Sequence, residues 1–592
     1  MKRLLTLLLA AAMLLAVLAG CGSKTEEPAA PVEEPEAVVE ESAPAEEAPA
    51  EEEPAVDAEE TETREISYME SLGYISDYEA DKLAEELGIL PTSQYFPLEE
   101  TETITATHVY APFVTQYLPT GDMNEKLVFA EYEKMTNVHV DWTAISMMNA
   151  SEQYQLLLAT GDYPDLIFSY GGFVSNASYE TAVEDDILLD LTDIIPQYCP
   201  NYNWMLSNNN EVRLGAMTSA GYIPEFIGVE VGVNIYNADY VRQDWLDELG
   251  MELPQTYDQL HDLLEIFRDD YGCSCPMWIP DNGIDDKLMP GFGVTNGWYF
   301  DEAGEMVYGP VQEGYREYLT LMNQWYEEGL FSVEFMALNN DFDATSAALI
   351  NNSEVGVFFT KFDTLADFDA ESSGDPDFAV TPIGCMTKNE GDVIEILAME
   401  ERTYNMGQGW AMTTSIDEEN IELVARWCDF WYTEAASMLA NYGLEGETYV
   451  YDEQGRPAWT DVIVNNPDIS FQPAVATNML YRGGGYVSDA WKELQAYSDE
   501  LIEADLAACA NQVGGRHLPS SMEMTGDEES ERAMYMTDIE TALEENTLRF
   551  ITGELDITDD GAWNSFVEII EGLGLDKVKA IQETVYERHM NS

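Results

Sequence analysis

Histidine is scarce in this chain. There are five in 592 residues: His108, His139, His261, His517 and His589. No two stand at the helical spacing that zinc hydrolases use. A Gly-x-Ser-x-Gly elbow, a Walker-type phosphate loop and a Gly-x-Gly-x-x-Gly turn after a strand are all absent, which removes the motif-based cases for those enzyme classes. Positive charge is scarce too. Lys and Arg total 25 against 114 Asp and Glu, a formal net charge of -89. Such a balance opposes binding to DNA, RNA or an anionic membrane through charge. Cysteine is sparse and scattered: Cys21, Cys199, Cys273, Cys275, Cys385, Cys428 and Cys509. Cys273 and Cys275 are one residue apart, a spacing that fits neither a zinc ribbon nor a thioredoxin motif. Cys428 falls in an amphipathic helical pattern and reads as a small buried hydrophobe. The six cysteines after Cys21 permit disulfides without fixing their connectivity. No redox chemistry, metal site or cofactor is expected.

What is present begins with a basic start, Lys2 and Arg3, and an apolar run from Leu4 to Leu18. The run is too short for an ordinary membrane span and reads as a signal peptide. It ends in Leu-Ala-Gly-Cys, Leu18 to Cys21, which resembles a bacterial lipobox. The resemblance implies cleavage after residue 20 and lipidation of Cys21 on the outer face of the cell membrane. From Lys24 to Glu65 the composition collapses to Glu, Ala, Pro and Val, with 17 acids against two bases. Such a stretch buries no core and reads as a disordered tether. Residues 66–98 add a short helical pattern, read as an appendage; residues 21–98 together form the tether region.

The remaining chain is too long for one core, so at least two domains are expected. Strands and helices alternate from Thr103 onward. Thr103–Phe113 and Val138–Ile145 read as strands around a helix that Asn137 ends, and Pro164–Ser169 as a further short strand. Such alternation predicts βαβ units, with ligands at the carboxyl ends of the strands. Glu230–Asn237 alternates Val231, Val233 and Ile235 with polar or small residues and reads as a strand crossing between two lobes. A helix around Tyr240–Leu249 follows, then one after Pro254 with a capping box from Thr256 and Gln259. Gly297–Tyr308 reads as a hairpin turning at Asp301–Gly304. Glu354–Thr360 and Phe378–Gly384 read as strands. Gly407–Ser415 feeds a helix to about Tyr432, and the chain from Trp491 is mostly helical.

Leu156–Phe173, with Ala-Thr-Gly-x-x-Pro-Asp-Leu-Ile-Phe inside it, resembles a stretch of the bacterial extracellular solute-binding proteins, the family that includes maltose-binding protein. Gly221–Val241 resembles that family's crossover, and Pro254–Leu260 its Pro-x-Thr-Trp-Asp helix start, with Tyr257 replacing Trp. Gly409–Thr433, Asn441–Trp459 and Phe550–Ile557 look like segments of its longer Gram-positive lipoprotein branch. The order of these segments over roughly residues 100–590 carries the resemblance. It implies an α/β fold of the two-lobe, periplasmic-binding-protein-like type II class. Each lobe would be a mostly parallel sheet flanked by helices, and hinge strands would join them. The expected boundaries are 99–235 with about 406–480 for lobe 1, and 236–405 with about 481–592 for lobe 2. The implied function is capture of a solute, most simply an oligosaccharide, for the permease subunits of an ABC importer. The chain is expected to be a monomer, held to the membrane by lipid alone and binding no nucleic acid.

Sugar pockets need aromatic faces and a few directed polar groups. The resemblance places Glu230 where maltose-binding protein has an acid that binds sugar hydroxyls. Tyr170 follows the Pro164–Ser169 strand, where the family carries pocket residues, although Gly171 and Gly172 lack the family's polar pair. Phe362 stands near a stacking aromatic of the family. Tyr110 and Phe113 end the first strand and could stack on a ring or pack in the core. Trp410 and Trp298 could line the cleft or lie beneath it. No catalytic residue is assigned. The alternatives are a lipid-anchored glycan-degrading enzyme, since paired carboxylates arise by chance in so acidic a chain, and a surface sensor or adhesin on the same fold. Asp556, Thr558, Asp560 and Gly561 begin like a calcium loop, but its twelfth position is Val567 rather than Glu.

Overall fold

The structure is a computed structural model. It describes residues 64, 66–168, 179–232, 237–278, 288–331, 349–350, 352–361, 377–397, 405–481, 484–495, 499–519, 522 and 524–591. The chain divides into two units, Met1–Arg64 and Glu65–Ser592, and the second carries the two main sheets and two small hairpin sheets. The lipidation candidate Cys21 and residues 24–65 other than Arg64 lie outside the described residues.

Fourteen strands occur among the described residues: β1 Glu102–Tyr110, β2 Val138–Ser146, β3 Leu166–Phe168, β4 Phe226–Val231, β5 Asn237–Arg242, β6 Met277–Trp278, β7 Trp298–Phe300, β8 Met306–Tyr308, β9 Val357–Lys361, β10 Val380–Ile383, β11 Asn405–Met412, β12 Tyr449–Tyr451, β13 Pro457–Trp459 and β14 Val487–Asp489. Six of them form the sheet of lobe 1, in the order β14-β4-β11-β3-β1-β2. β2 and β3 both pair parallel to β1, and β14 pairs parallel to β4. β11 runs antiparallel between β3 and β4. Lobe 2 has four strands in the order β10-β5-β9-β6, of which only β6 and β9 pair parallel. Both sheets are therefore mixed, and the second is mainly antiparallel where a mostly parallel sheet was expected. β5, which breaks the pattern in lobe 2, begins at Asn237, six residues after β4 ends at Val231 in lobe 1, a link too short for the crossover helix that a parallel neighbour needs.

The local signals account for most of the elements. Asn137 takes the left-handed conformation (φ 57°) and ends the helix Leu127–Thr136. Thr256 and Gln259 form a full capping box on the helix Tyr257–Asp269. β7 and β8 form the hairpin, and Asp301 Oδ1 accepts from the Ala303 and Glu305 N–H groups in its turn. One element differs. The helix expected from about Tyr240 starts at Gln243, because Asn237–Arg242 is strand β5. β5 is paired along its length by β9 on one side and by β10 on the other. That pairing overrides a local pattern that could serve either state.

Two main cores follow the two sheets. The lobe 1 core centres on the helix Ile421–Phe430 and the residues after it, where Trp431 stacks on Tyr132 at 3.5 Å between ring centroids. The lobe 2 core gathers the helices Tyr257–Asp269 and Glu313–Glu328 with the C-terminal helices Gly526–Ile551 and Asp560–Ile570. The C-terminal part is helical as expected.

The segment read as an appendage belongs to lobe 1. Met69, Ile75 and Phe96 are buried in that lobe's core. Thr92 donates to the buried Asp429 carboxylate at 2.5 Å, and Arg426 Nη1 donates to the Leu90 carbonyl at 2.8 Å. The lobe also runs past the expected break near residue 480, since β14 extends its sheet.

Candidate ligand site

β4 is antiparallel to β11, and β11 is antiparallel to β3, so β4 runs in the same direction as β1. The carboxyl ends of β1, β2, β3, β4 and β14 therefore share one edge of the sheet, where open α/β sheets place their ligands. Glu230 is the penultimate residue of β4, half-buried and opposite Ser488 of β14. Tyr110 ends β1, also half-buried. Three strand spacings separate β4 from β1 in the sheet order, about 14 Å.

The chain leaves this edge for lobe 2 at three places: after β4, before β11 and after β14. Gly232, at φ +100°, stands at the first, and an added Cβ there would meet the Ala490 Cβ at 3.4 Å. A left-handed backbone at that point turns the strand out of the sheet, and glycine supplies it without strain. Gly409 on β11 admits no side chain. Its Cβ would stand 2.2 Å from the Phe226 carbonyl oxygen of β4.

A buried polar cluster fixes the third crossing. Asp489 Oδ2 accepts from the hydroxyls of Tyr68 at 2.6 Å and Tyr442 at 2.5 Å, and Oδ1 accepts from the Trp491 N–H at 3.0 Å. Lys492 Nζ donates to Ser488 Oγ at 2.7 Å, to Tyr486 Oη at 3.0 Å and to Asn441 Oδ1 at 3.3 Å. Burial and the Asp489 carboxylate hold the Tyr68 phenol far above its usual range. A fully bonded cluster of this kind pins its backbone in one arrangement. These residues give no sequence signal, since Tyr68 and Asp489 are 421 positions apart.

The expected site residues separate into groups. Glu230 and Tyr110 lie on the carboxyl edge. Phe113, just beyond β1, is half-buried with its ring 6.4 Å from that of Tyr481. Tyr170 and Phe362 lie outside the described residues. Trp410 does not face the cleft. It is fully buried against Phe168 at 5.2 Å, Trp427 at 5.6 Å and Trp142 at 5.9 Å, the second of the two places its sequence allowed, so its place among the ligand-binding residues is withdrawn. An indole flanked by Gly409 and Ala411 meets no bulky neighbour in sequence, and the core fills that space. Trp298 is half-buried on β7 against Tyr308, on a hairpin whose Phe300 contacts Tyr586 of the last helix.

Nitrogen and oxygen atoms of His261, Asp262 and Glu265 come within 4.8 Å of one another, but His261 Nε2 is engaged by Glu328 at 2.6 Å. At the partial calcium loop, Arg316 Nη2 donates to Asp560 Oδ1 at 2.8 Å and to the Thr558 carbonyl, and its Nε donates to the Ile557 carbonyl. A guanidinium thus already neutralises part of that loop. The six described cysteines form no disulfide, and burial holds the Cys199 and Cys428 thiols well above the usual range. No described helix is long and apolar enough to cross a membrane.

The comparisons agree with this architecture. The fructooligosaccharide ABC transporter substrate-binding protein FusA of Streptococcus pneumoniae is 27% identical over 373 residues, 60% of this chain and 65% of FusA. The chain thus matches slightly less than two-thirds of that relative's length. The polygalacturonan/rhamnogalacturonan-binding protein YtcQ of Bacillus subtilis is 22% identical over 64% of this chain and 75% of its own length. A solved extracellular solute-binding protein from Bifidobacterium longum subsp. infantis superposes with a TM-score of 0.65 at 14% identity, covering 83% of this chain and 98% of that one, and shares the fold. Residues 122–438, more than half of the chain, match the bacterial extracellular solute-binding protein family, and the chain belongs to it.

Proposed function

We propose that this protein is a lipid-anchored receptor that captures an oligosaccharide outside the cell and delivers it to the permease subunits of an ABC importer. The observation that carries the reading is the triple crossing between two sheets, with Glu230 on the shared carboxyl edge. A fold of this kind closes about a hinge when a solute bridges both lobes. Binding, without bond chemistry, is sufficient for that role. Two of the relatives carry names of sugar binders, FusA for fructooligosaccharide and YtcQ for polygalacturonan/rhamnogalacturonan, which supports a carbohydrate as solute. Glu230, Tyr110 and Phe113 are the described residues proposed to meet it, and Trp298 is retained as a candidate from lobe 2. Tyr170 and Phe362 complete the proposed set on the strength of the resemblance.

Titration calorimetry against neutral and acidic oligosaccharides tests the reading, with each sugar recovered afterwards and checked for cleavage. Saturable binding with intact sugar supports a receptor. Release of shorter products makes the protein a glycan-degrading enzyme instead. Anchoring is tested separately: Cys21→Ala is expected to move the protein from the detergent-extracted membrane fraction to the medium, and unchanged partitioning refutes lipidation at Cys21.

A further inference from the structure

Among the described residues, Lys126 is a buried positive side chain with no acid paired to it. Lys126 directly precedes the helix Leu127–Thr136 and is 2% exposed. Among the described residues it forms no ion pair, and its ammonium lies 5.2 Å from the ring centre of Phe129. The His108 ring stands perpendicular to the same Phe129 at 5.1 Å. His108 is also 2% exposed, and its Nδ1 has no hydrogen-bond partner. Burial, and after it the charge of Lys126, holds His108 well below the usual imidazole range. Burial alone brings Lys126 down to about 7.

The backbone adds to this pair. The helix Leu127–Thr136, which Lys126 directly precedes, has no side-chain cap, so its first N–H groups keep their partial positive charge at that end. His108 lies near the carboxyl end of β1, with its ring 5.9 Å from that of Phe168, the last residue of β3. The pair therefore stands by the carboxyl edge where the solute is proposed to bind. A buried ammonium or imidazole without a counter-charge is costly. Acids are abundant in this chain, yet among the described residues none has been placed against Lys126.

We propose that Lys126, His108 and the uncapped helix end form a subsite for one carboxylate of the solute, which makes the solute a uronate-containing oligosaccharide. This rests on the carbohydrate reading and narrows it to acidic sugars. The carboxylate accepts from the ammonium, from a protonated imidazole nitrogen and from the helix N–H groups, and no bond is made or broken.

The test compares two probes of equal size, a galacturonic acid trimer and the neutral galactose trimer, by calorimetry on the wild type, Lys126→Met and His108→Gln. Inorganic sulfate serves as a third arm. Thermal unfolding confirms that each variant folds; Lys126→Gln, which also removes the charge, replaces Lys126→Met if the latter does not. The expected result is at least about tenfold tighter binding of the acidic trimer, a preference that Lys126→Met abolishes. Equal affinity for the two trimers, or a preference that survives in the folded variants, overturns the subsite and leaves the carbohydrate reading standing. Lys126-dependent binding of sulfate without the acidic trimer assigns the pocket to a free anion and also overturns it. If neither trimer nor any other oligosaccharide binds, the carbohydrate reading falls and the subsite falls with it.

Discussion

Asp77→Asn should stabilise this protein in alkaline solution and lose that advantage in acid. Asp77 opens the helix Asp77–Leu87 and accepts from the Glu434 N–H at 3.0 Å, so its carboxylate stands at the start of two helices. Both helix ends favour its negative charge. Burial opposes them and wins, and the Glu434, Asp81 and Asp429 carboxylates add to it; the pKa is pushed up to about 7. The sign follows from linkage. Below the unfolded pKa of 3.8 both states are protonated. As pH rises, the unfolded chain ionises first and stability falls, until the folded carboxyl has ionised above about 7. The whole loss is about 4 kcal/mol at most, and about 3 kcal/mol of it falls between pH 5 and pH 8. Asn keeps the acceptor for Glu434 and carries no charge. The difference in unfolding free energy, variant minus wild type, should therefore grow by ~3 kcal/mol from pH 5 to pH 8. Urea unfolding of both proteins at the two pH values measures it. Parallel pH dependences, or an Asn variant that loses ground at pH 8, would show that the helix ends outweigh burial and refute the reasoning.

Two further substitutions separate core from cleft. Trp410→Ala removes an indole packed on three aromatic rings and is expected to cost about 3–5 kcal/mol. Trp410→Phe should keep the fold and leave sugar affinity unchanged; weakened binding in that folded variant would return the indole to the site. Glu230→Gln should fold normally and weaken sugar binding by about tenfold or more, as loss of a charge-assisted hydrogen bond would. Affinity equal to wild type in calorimetry removes Glu230 from the site.

Short-range chemistry is legible in the sequence, and long-range chemistry is not. Thr256 and Gln259 announce their helix because the bonds they make span three residues. Asn137 and the Asp301 turn are readable for the same reason. The alternation over Glu230–Asn237 reads as one crossing strand, whereas β4 ends at Val231 and Gly232 takes a left-handed turn; Val233 and Ile235, which carry the rest of the alternation, lie outside the described residues. Tyr240 reads as helix and is strand because its state depends on strands β9 and β10, more than a hundred residues downstream. Trp410 is ambiguous in sequence because a tryptophan between small residues suits a cleft wall or the packing beneath it, and only Phe168, Trp142 and Trp427 decide. The cluster around Asp489 is invisible there because its members come from distant segments. Lys126 and His108 are ordinary in sequence; what singles them out is burial.

The same distinction divides the two acidic stretches near the amino terminus. In composition, 24–65 and 66–98 both look like solvated lead-in sequence. The second is built into lobe 1. It supplies the Thr92 hydroxyl to Asp429, the Leu90 carbonyl to Arg426, the Asp77 carboxylate to the helix that starts at Glu434 and the Tyr68 hydroxyl to Asp489 at the third crossing. A chain beginning at Thr101 would strip one donor from Asp429 and one from Asp489. It would also leave Arg426, itself 2% exposed, without its backbone acceptor. Each loss of a partner by a buried polar group costs about 1–3 kcal/mol, together comparable to the stability of a typical domain. Phe430 would lose Phe96, whose ring lies 5.5 Å away. Chains beginning at residue 66 and at residue 101, both without the tether, make the comparison. The longer should bind sugar and unfold cooperatively. The shorter should unfold in lobe 1 at much lower urea or fail to remain soluble. Equal midpoints would mean that residues 66–98 are an attachment after all, and that the hinge needs nothing from Tyr68.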